Sequence, residues 1–335
     1  MIDALSIESG APLAETNGIP LIYSTLGAFF HLEPIEPEDE ARFDRVNALV
    51  LNWFGSRLRW VSAPFLSGLP PFRPADLDYI SGYCRTLELP QEPAEREAVI
   101  DFHFGRNDYS VECIGGKGGA HASPYCYEFW STFAEASGAR FQACPVLSLT
   151  VPDTWPPDDF AARITAIASE LRLRWATAGL TYDTRSLHES KITQKTMFAH
   201  ARRHWGYDVP EYLLYTVRFL DEIRSINWLT FLGPALAERL REEGKELVSA
   251  GPLEISAAGD ALRIRAGARP EAGDVNRLQI PAAYQAADAL VRPVRSSGGQ
   301  VFYGLWTRDQ TVEWLQRFGK GGAPLPSADP DEIDF

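Results

Sequence analysis

The chain has 335 residues, of which 45% are hydrophobic and 23% are charged, and its formal net charge is −13 at pH 7. This composition is typical of a globular protein with a sizeable core, in one large domain or two ordinary ones. It predicts no membrane partner, because no apolar run approaches the roughly 18 residues that a membrane-spanning helix needs.

Nearly all of the excess negative charge lies at the two ends of the chain. Residues 1–40 contain eight acidic residues and residues 321–335 contain four more, without a Lys or Arg in either range. The 33 acidic and 32 basic residues between them leave the body almost neutral. Such ends repel nucleic acid and attract a basic protein surface, so we predict a protein partner and no direct nucleic-acid contact. Solvated tails that only aid solubility are the alternative interpretation.

Cysteine usage and the first residues favour a cytoplasmic protein. Cys84, Cys113, Cys126 and Cys144 show no Cys-x-x-Cys spacing, so neither a zinc motif nor a redox motif is predicted. Unpatterned cysteines in a chain of this length are most simply buried, reduced thiols. The first forty residues lack the basic segment that begins a signal peptide. We therefore predict a cytoplasmic location and no cofactor.

In chain order, a polar leader at residues 1–18 precedes a predicted strand over residues 19–32. A loop with several acidic residues follows, and the apolar residues from Phe43 to Phe54 then recur at helical spacing. The alternating residues 57–61 indicate a short strand, and residues 75–87 a further helix. The acidic residues of the loop are Glu33, Glu36, Glu38, Asp39 and Glu40.

The next segments predict a hairpin, a loop and a helix. Residues 98–104 and 109–114 are strand candidates whose separation is typical of a β-hairpin. The glycine-rich run at residues 115–119 predicts a mobile loop, because it lacks the residue order of a phosphate-binding loop. The aromatic-rich residues 125–136 predict a helix, and residues 147–151 a strand.

This order of elements then repeats. The strand leads into a second Pro-rich acidic loop, and a helix of similar spacing ends at Arg172-Leu173-Arg174-Trp175, a tetrad also present at residues 57–60. The separation of 115 residues is too long for a solenoid repeat. We therefore predict two related strand-helix-strand halves, residues 19–145 and 146–320, followed by an acidic tail at 321–335.

The remaining segments complete an α+β prediction. Helices are predicted at residues 193–205, 211–224, 281–291 and 307–318, with a short helix that begins at Pro234, and two or three strands at residues 246–266. The predicted architecture is a set of mixed, largely antiparallel sheets flanked by helices.

Residues 221–233 begin with the acidic pair Asp221-Glu222 and end on Gly233-Pro234, which breaks regular structure. Ile226, Trp228 and their neighbours alternate so that a strand here would be apolar on nearly both faces, which is typical of a buried central strand. Asn227 is the exception. A buried Asn must satisfy its amide, so we expect it to bond a neighbouring loop.

This stretch also carries a family resemblance. The run from Asn227 to Gly233, followed some forty residues later by Gly273-Asp274-Val275-Asn276-Arg277, resembles the type VI immunity family, and a looser similarity covers about residues 20–295. These bacterial proteins are encoded beside type VI secretion effectors and neutralise the toxins, so the resemblance implies a cognate effector as partner. The family resemblance implies no catalytic residue in this chain. The residues that the resemblance marks as important for the fold are Asn227, Trp228, Gly233, Gly273, Asp274 and Asn276.

Side chains that could carry chemistry each have a simpler structural interpretation. His200 and His204 have the spacing of a zinc protease, but Ala201 replaces the Glu that this motif requires. The acidic loops lack the ligand spacing of a calcium site, so no metal is predicted. Residues 273–277 predict a turn in which an Asp or Asn bonds the backbone. The thiol–imidazole pairs that sequence proximity allows would join Cys113 or Cys126 to His103 or His121.

Two functional hypotheses follow. The first is an immunity protein that binds a type VI effector stoichiometrically, and the acidity suits a nuclease effector, which presents basic surface to phosphate. The second is a hydrolase with a carboxylate site, which a deep pocket with raised carboxyl pKa values would favour. Nine Trp, 12 Tyr and 18 Phe leave room for a homodimer. The predicted effector contacts are Glu33, Glu36, Glu38, Asp39, Glu40, Asp153, Trp155, Asp158 and Asp159.

Overall fold

A large antiparallel sheet runs through the protein. The structure is a computed structural model, and it describes residues 10–63, 65–86, 108–118, 121–136, 139–142, 145–184, 191–210, 222–296 and 305–319. Its strands are β1 (Ala14–Thr16), β2 (Ile19–Leu32), β3 (Trp60–Ser62), β4 (Asp108–Ile114), β5 (Cys126–Ala136), β6 (Ala139–Gln142), β7 (Val146–Pro152), β8 (Leu173–Thr184), β9 (Leu229–Leu232), β10 (Leu253–Ala258) and β11 (Ala261–Ala266). The order is β10-β11-β9-β8-β2-β7-β5-β4-β3, with β1 beside β2 and β6 beside β5. Every pairing of these strands is antiparallel.

Helices pack on this sheet, which confirms the predicted α+β class with a largely antiparallel sheet. They are α1 (Glu40–Phe54), α2 (Asp78–Ser81), α3 (Tyr83–Thr86), α4 (Pro157–Glu170), α5 (Lys191–Arg203), α6 (Pro234–Glu242), α7 (Ala282–Val291) and α8 (Arg308–Leu315). Among the described residues, no helix combines the length and the apolar character needed to cross a membrane.

Strand β2 lies at the centre of the sheet, between β7 and β8. Its register pairs Thr25 with Pro152 of β7 and Gly27 with Gly179 of β8. Every residue of β7 is buried, because its run of Val, Leu, Ser and Thr side chains packs on both faces of the sheet. The predicted strands at residues 19–32 and 147–151 are confirmed.

Helices α1 and α4 pack antiparallel to each other across one face of the sheet. Near one end of the pair, Trp53 meets Trp155 edge-on with ring centroids 5.7 Å apart. At the other end, Arg45 lies 2.6 Å from Glu170. The apolar residues that predicted both helices form their buried faces, and each buried large side chain contributes about 1.5–3 kcal/mol to folding.

The apolar stretch before Gly233 forms an interior strand, as predicted. Strand β9 lies between β8 and β11, and both Trp228 and Phe231 are fully buried. The strand is shorter than expected, because only residues 229–232 join the ladder. Asn227 bonds a strand rather than a loop: its Nδ2 donates to the Leu180 carbonyl of β8 at 3.2 Å.

Gly233 has a steric role at the end of β9. Its amide donates to the Arg174 carbonyl at 2.8 Å, and a Cβ atom at this position would lie 1.9 Å from the Leu173 carbonyl oxygen. Only glycine allows this approach of two backbones. Helix α6 begins directly afterwards at Pro234, as predicted.

The predicted helix at residues 125–136 is wrong. These residues form β5, which pairs with β4 on one side and with β7 on the other. Tyr127 and Phe129 point into the core and alternate with the half-buried Glu128. Aromatic residues fit a pleated surface between two strands, and a short aromatic-rich run does not distinguish this period from a helical one.

Other predictions differ in detail or fall outside the described residues. The predicted helix at 75–87 is divided, because Gly82 separates α2 from α3 and glycine is a poor helix former. The first Arg-Leu-Arg-Trp tetrad contributes only Trp60 to a strand. The predicted strand at 98–104, with its hairpin, and most of the predicted helix at 211–224 lie outside the described residues.

The two predicted halves meet within one sheet. Strand β2 with α1 and strand β7 with α4 have the same order, and β2 pairs directly with β7. The continuations differ, since β3 has three residues at the sheet edge and β8 has twelve beside β2. The division of the chain into halves with a leader and a tail stays a prediction.

The aromatic residues serve the core. Eight of the nine Trp side chains are buried, and the ninth, Trp60, is half-buried. Their number is therefore explained by packing, and it gives the expected homodimer no support. Large hydrophobic side chains that are exposed among the described residues are Phe65, Ile192, Val248 and Leu278.

A buried ionic cluster joins the C-terminal part of the chain to the sheet. Asp208 lies 2.6 Å from Arg224, and both side chains are buried. Arg317, also buried, donates to the carbonyls of Trp205 and Tyr207 at 2.7 and 3.2 Å. Burial lowers the pKa of Arg317 to about 9, although the nearby Asp208 favours its charge.

Candidate partner-binding surface

The first acidic loop is held in shape by arginines. Glu36 and Asp39 both pair with Arg172, at 3.0 and 3.2 Å. Asp39 is buried and also accepts a hydrogen bond of 3.0 Å from the Glu36 amide, which starts a 3-10 turn at residues Pro37–Asp39. Glu33 lies 3.2 Å from Arg174. Three residues of the loop are thus part of a fixed ionic network.

Glu38 is the residue of this loop that faces solvent without a partner. Its side chain is exposed and forms no ion pair with any described residue. An exposed carboxylate on a fixed backbone can form a charge pair with an incoming cation at little entropic cost. Glu40 is half-buried at the start of α1.

The second acidic loop is organised around a buried tryptophan. Trp155 is 1% exposed, and its Nε1 donates to Asp159 at 2.8 Å. Burial alone would raise the pKa of Asp159, but the hydrogen bonds from Arg163, at 2.7 Å, and from Trp155 lower it. The Trp155 side chain therefore supports the loop from inside and presents no surface to a partner.

Asp158 is the exposed acid of the second loop. Its side chain is 86% exposed and lies 2.6 Å from Arg265 of β11. A surface pair of this kind contributes only about 0–1 kcal/mol, so Asp158 can exchange Arg265 for a cation of a partner. Asp153 is half-buried in the same loop.

The two acidic loops lie at opposite ends of the α1–α4 layer. Strands β2 and β7 are antiparallel, and the second loop leaves β7 beside Thr25, seven residues from the end of β2 at Leu32. Seven strand residues span roughly 23 Å. Between the loops, the outer face of the two helices is exposed and consists of Ala41, Asp44, Arg45, Ala48 and Asn52 on α1 and of Ala162, Ala166 and Ser169 on α4; Arg45 is paired with Glu170. We call this the α1–α4 face.

The glycine-aspartate segment at residues 273–277 forms the predicted turn. Asp274 caps a 3-10 turn by accepting from the Asn276 amide at 3.1 Å. Arg203 of α5 lies 2.7 Å from Asp274, and this hydrogen-bonded pair lowers the pKa of the carboxyl group. His204 donates from Nδ1 to the Gly273 carbonyl at 2.7 Å. The segment therefore holds the C-terminal end of α5 in place, which is a structural role.

The histidines considered as candidates for catalysis or metal binding pack against neighbouring side chains. His200 Nδ1 lies 3.0 Å from the Tyr182 hydroxyl, and the ring is tilted against His204 at a centroid distance of 4.4 Å. Burial lowers the pKa of His200 to about 4, with a further contribution from His204 and Arg203. Within the described part of the chain, no three His, Cys, Asp or Glu side chains are grouped as around a metal ion.

The thiols of Cys84, Cys113 and Cys126 are buried, and burial raises the pKa values of Cys113 and of Cys84, the latter to about 12. Cys144 lies outside the described residues. A thiol with a raised pKa is a poor nucleophile. Of the predicted imidazole partners, His121 lies in the loop after Gly118 and His103 lies outside the described residues. Where burial and charge move a described carboxyl pKa, at Asp159 and Asp274, the shift is downward.

The sequence analysis missed the arginines that hold the acidic loops. Arg172 and Arg174 belong to the second Arg-Leu-Arg-Trp tetrad, which predicted only a repeat of the first. The alternation of Arg with large apolar residues was a usable signal, because a strand with that pattern presents its cations on one face.

Comparisons with known proteins identify a family and a similar fold. The TsiV family model, described as type VI immunity for VRR-NUC, matches residues 86–318, which include the motifs at 227–233 and 273–277. The Pseudomonas aeruginosa T6SS protein PA0821 has a similar structure, with a TM-score of 0.68 over 92% of this chain and 87% of that chain. At a sequence identity of 17%, this similarity shows a shared fold and no more. No curated protein sequence matches this chain.

Proposed function

The chain belongs to the TsiV family of type VI immunity proteins for VRR-NUC, and we propose that it neutralises its cognate nuclease effector by direct, stoichiometric binding. The family match over residues 86–318 is the observation that carries this proposal. Inhibition by binding needs a rigid surface with complementary charge and no catalytic group. The acidic loops meet the first need, because ion pairs and a buried tryptophan hold them in place.

The α1–α4 face with its two acidic loops is the proposed contact surface. A nuclease presents cationic groups to the phosphates of its substrate, and exposed carboxylates are the complementary charge. Glu38 and Asp158 supply such carboxylates at the two ends of the face. The buried or paired members of the loops, Asp39 and Asp159 among them, keep the exposed ones in position.

The dimensions of this face suit a single partner. An ordinary interface buries about 800 Å² on each protein, a patch roughly 30 Å across. One partner lying over α1 and α4 could therefore reach both loops. The small side chains along the helices, such as Ala48 and Ala162, leave the face flat enough for close contact.

Two further expectations belong to the same proposal. We infer that the complex forms in the cytoplasm, where a nuclease effector meets its substrate and where reduced, buried thiols are usual. A homodimer stays a prediction without support from surface aromatics. Light scattering of the purified protein decides between a monomer and a dimer.

A titration distinguishes binding from catalysis. The purified protein is added to its cognate VRR-NUC effector, and DNA cleavage is measured against the molar ratio. We expect inhibition to be complete near one equivalent and the pair to co-elute. Complete inhibition by a small fraction of an equivalent, with lasting loss of effector activity after separation, would instead indicate an enzyme and overturn the proposal.

Charge reversal tests the contact surface. The double variant Glu38→Lys and Asp158→Lys should bind the effector more weakly, with slower association at low salt. It should lose most of the salt dependence that the natural pair shows up to about 0.5 M salt. The matched control is Glu246→Lys, an exposed acid between α6 and β10. Equal affinities for the double variant and the control would place the contact elsewhere.

A further inference from the structure

Two motifs without a role in effector binding meet in one cavity. The first Arg-Leu-Arg-Trp tetrad and the glycine-rich loop after β4 line an open cavity of about 480 Å³. Its volume is in the range of small-molecule sites in proteins, roughly 300–1,000 Å³. The side chains that matter for its chemistry are Tyr23, Arg57, Arg59, Lys117, His121 and Tyr125.

The lining of the cavity is basic. Three cations, Arg57, Arg59 and Lys117, line it, and no Asp or Glu does among the described residues. Two acids act on lining residues from outside the lining: Asp183 accepts a hydrogen bond from the Ser123 amide at 3.1 Å, and Glu15 acts on Tyr23 through its charge. In a chain of net charge −13, this concentration of cations favours an anionic ligand.

The two tetrads differ in how their arginines are used. In the second tetrad, Arg172 and Arg174 are neutralised by the carboxylates of the first acidic loop. In the first tetrad, Arg59 is exposed and forms no ion pair with a described residue, and the same holds for Lys117. Two cations at one cavity are thus available to a ligand.

The backbone fixes these groups in place. The Arg59 amide donates to the Ile114 carbonyl at 2.7 Å, and its carbonyl accepts from the Phe72 amide at 2.8 Å. The indole nitrogen of Trp60 donates to the Gly116 carbonyl at 3.3 Å. Gly115 packs so closely that a Cβ there would lie 2.4 Å from the Ser123 hydroxyl. The cavity is therefore preformed, which reduces the entropic cost of binding.

The aromatic rings that line the cavity indicate a ligand with a flat ring as well as an anionic group. The Arg57 guanidinium carbon lies 5.5 Å from the ring centroid of Tyr125, and Tyr23 and His121 complete a set of flat surfaces. Arginine and lysine bind phosphate, and aromatic and guanidinium planes stack on nucleobases. A single carboxylate side chain from a protein would use the charge but leave most of the volume and the rings unused.

We propose that this cavity binds a nucleoside phosphate, with the phosphate on Arg59 and Lys117 and the base against the half-buried rings of Tyr23 and His121. The acidic first forty residues, whose Glu15 acts on Tyr23 of the cavity, oppose a long nucleic-acid strand, because phosphates beyond the cavity would be repelled by these carboxylates. A free mononucleotide is therefore favoured over the end of a strand as the source of the same chemistry.

Calorimetric titration of the full chain tests this site. A nucleoside 5′-monophosphate is compared with the same nucleoside without phosphate, with inorganic phosphate and with a short single-stranded oligonucleotide. We expect the monophosphate to bind most tightly and the nucleoside to bind weakly or not at all. Tighter binding of the oligonucleotide would make a strand end the source of the nucleotide. The absence of monophosphate binding at millimolar concentration would overturn the proposal.

Variants locate the binding. Arg59→Met and Lys117→Met remove charge from two exposed side chains, and the double variant should weaken monophosphate binding at least about tenfold. Arg241→Met, which removes an exposed arginine of α6, should leave it unchanged. Unchanged affinity in the cavity variants would overturn the site. Loss of effector binding in those variants, with no nucleotide binding by the natural chain, would assign the cavity to the effector interface instead. Intact effector binding alongside a failed nucleotide titration would leave the proposed function standing.

Discussion

The amide oxygen of Asn227 occupies the space that a side chain would need at Gly179. A Cβ atom at Gly179 would lie 2.2 Å from Asn227 Oδ1, the atom that accepts the Trp228 amide at 2.7 Å. Gly179 in turn pairs with Gly27 at the centre of the sheet. The first residue of the family motif is therefore held against a strand from which a side chain is missing.

This contact predicts a large effect for a small substitution. Gly179→Ala should lower the free energy of unfolding by roughly 2–4 kcal/mol, because overpacking and the displaced Asn227 hydrogen bonds both cost stability. Urea unfolding gives the value. The double variant Gly179→Ala with Asn227→Ala should be less unstable than the sum of the two single variants. Additive effects would show that the two residues do not compete for the same space.

The elements that the sequence predicted well are those with a long, regular pattern. Strand β2 has fourteen residues and helices α1 and α4 have fifteen and fourteen, so their apolar spacing is sampled several times. Strand β5 was mistaken for a helix, because its described aromatic residues lie within a few positions and fit either period. Its identity depends on β4 and β7, which the local sequence does not contain.

The candidate surface was predicted only in part for a similar reason. Acidic residues are visible in the sequence, but their exposure depends on partners that are far away along the chain. Arg172 is more than 130 residues from the loop that it holds, and Arg265 is 107 residues from Asp158. Local patterns cannot show which carboxylates such pairs fix and which remain open to a partner.

The buried His31 and the half-buried His200 predict that stability falls in acid. His31 stacks on Trp175 with ring centroids 3.7 Å apart, and burial, with the charge of Arg224, holds its pKa well below 6.5. The pKa of His200 is lowered to about 4, chiefly by burial. Below pH 6.5 the unfolded chain binds protons that the folded chain does not, so protonation favours unfolding. The lowered pKa values of Asp159 and Asp274 act in the same direction at lower pH.

Urea unfolding between about pH 7 and pH 4 checks this dependence. His31 alone contributes a slope of up to about 1.4 kcal/mol per pH unit while only the unfolded state is protonated. The variant His31→Gln keeps a planar polar side chain and should show a shallower loss of stability below pH 6.5. An identical slope in the variant would show that His31 is protonated in the folded protein.

The buried ion pair predicts a cost for removing one partner. Asp208→Asn leaves the charge of Arg224, a side chain that is 3% exposed, without its carboxylate, and should destabilise the protein by about 3–5 kcal/mol. Adding Arg224→Met should recover much of this loss, because the uncompensated charge is gone. The exposed pair of Glu238 and Arg241 is the control, and Glu238→Gln should cost less than about 1 kcal/mol. Equal costs for Asp208→Asn and Glu238→Gln would mean that water reaches the cluster.

The backbone conformation of Leu278 predicts that replacing it with glycine stabilises the protein. Its φ angle is +56°, in the left-handed region, and its side chain is 77% exposed, so it loses little packing when removed. The turn is fixed on both sides, because the amides of Asp274 and Gln279 each bond the other's carbonyl, at 2.8 and 3.0 Å. Leu278→Gly should raise the free energy of unfolding by about 0.5–1 kcal/mol, since glycine adopts this conformation without a Cβ penalty.

A matched surface residue separates relief of strain from loss of an exposed side chain. Val248 is 59% exposed, and its φ angle is not positive. Val248→Gly should therefore lower stability slightly, through the greater entropy of the unfolded chain. Opposite signs for the two glycine variants in thermal or urea unfolding would support a strained backbone at Leu278. Equal losses would show that the turn holds Leu278 without strain, and that its exposed side chain stabilises the fold through contacts along residues 273–279.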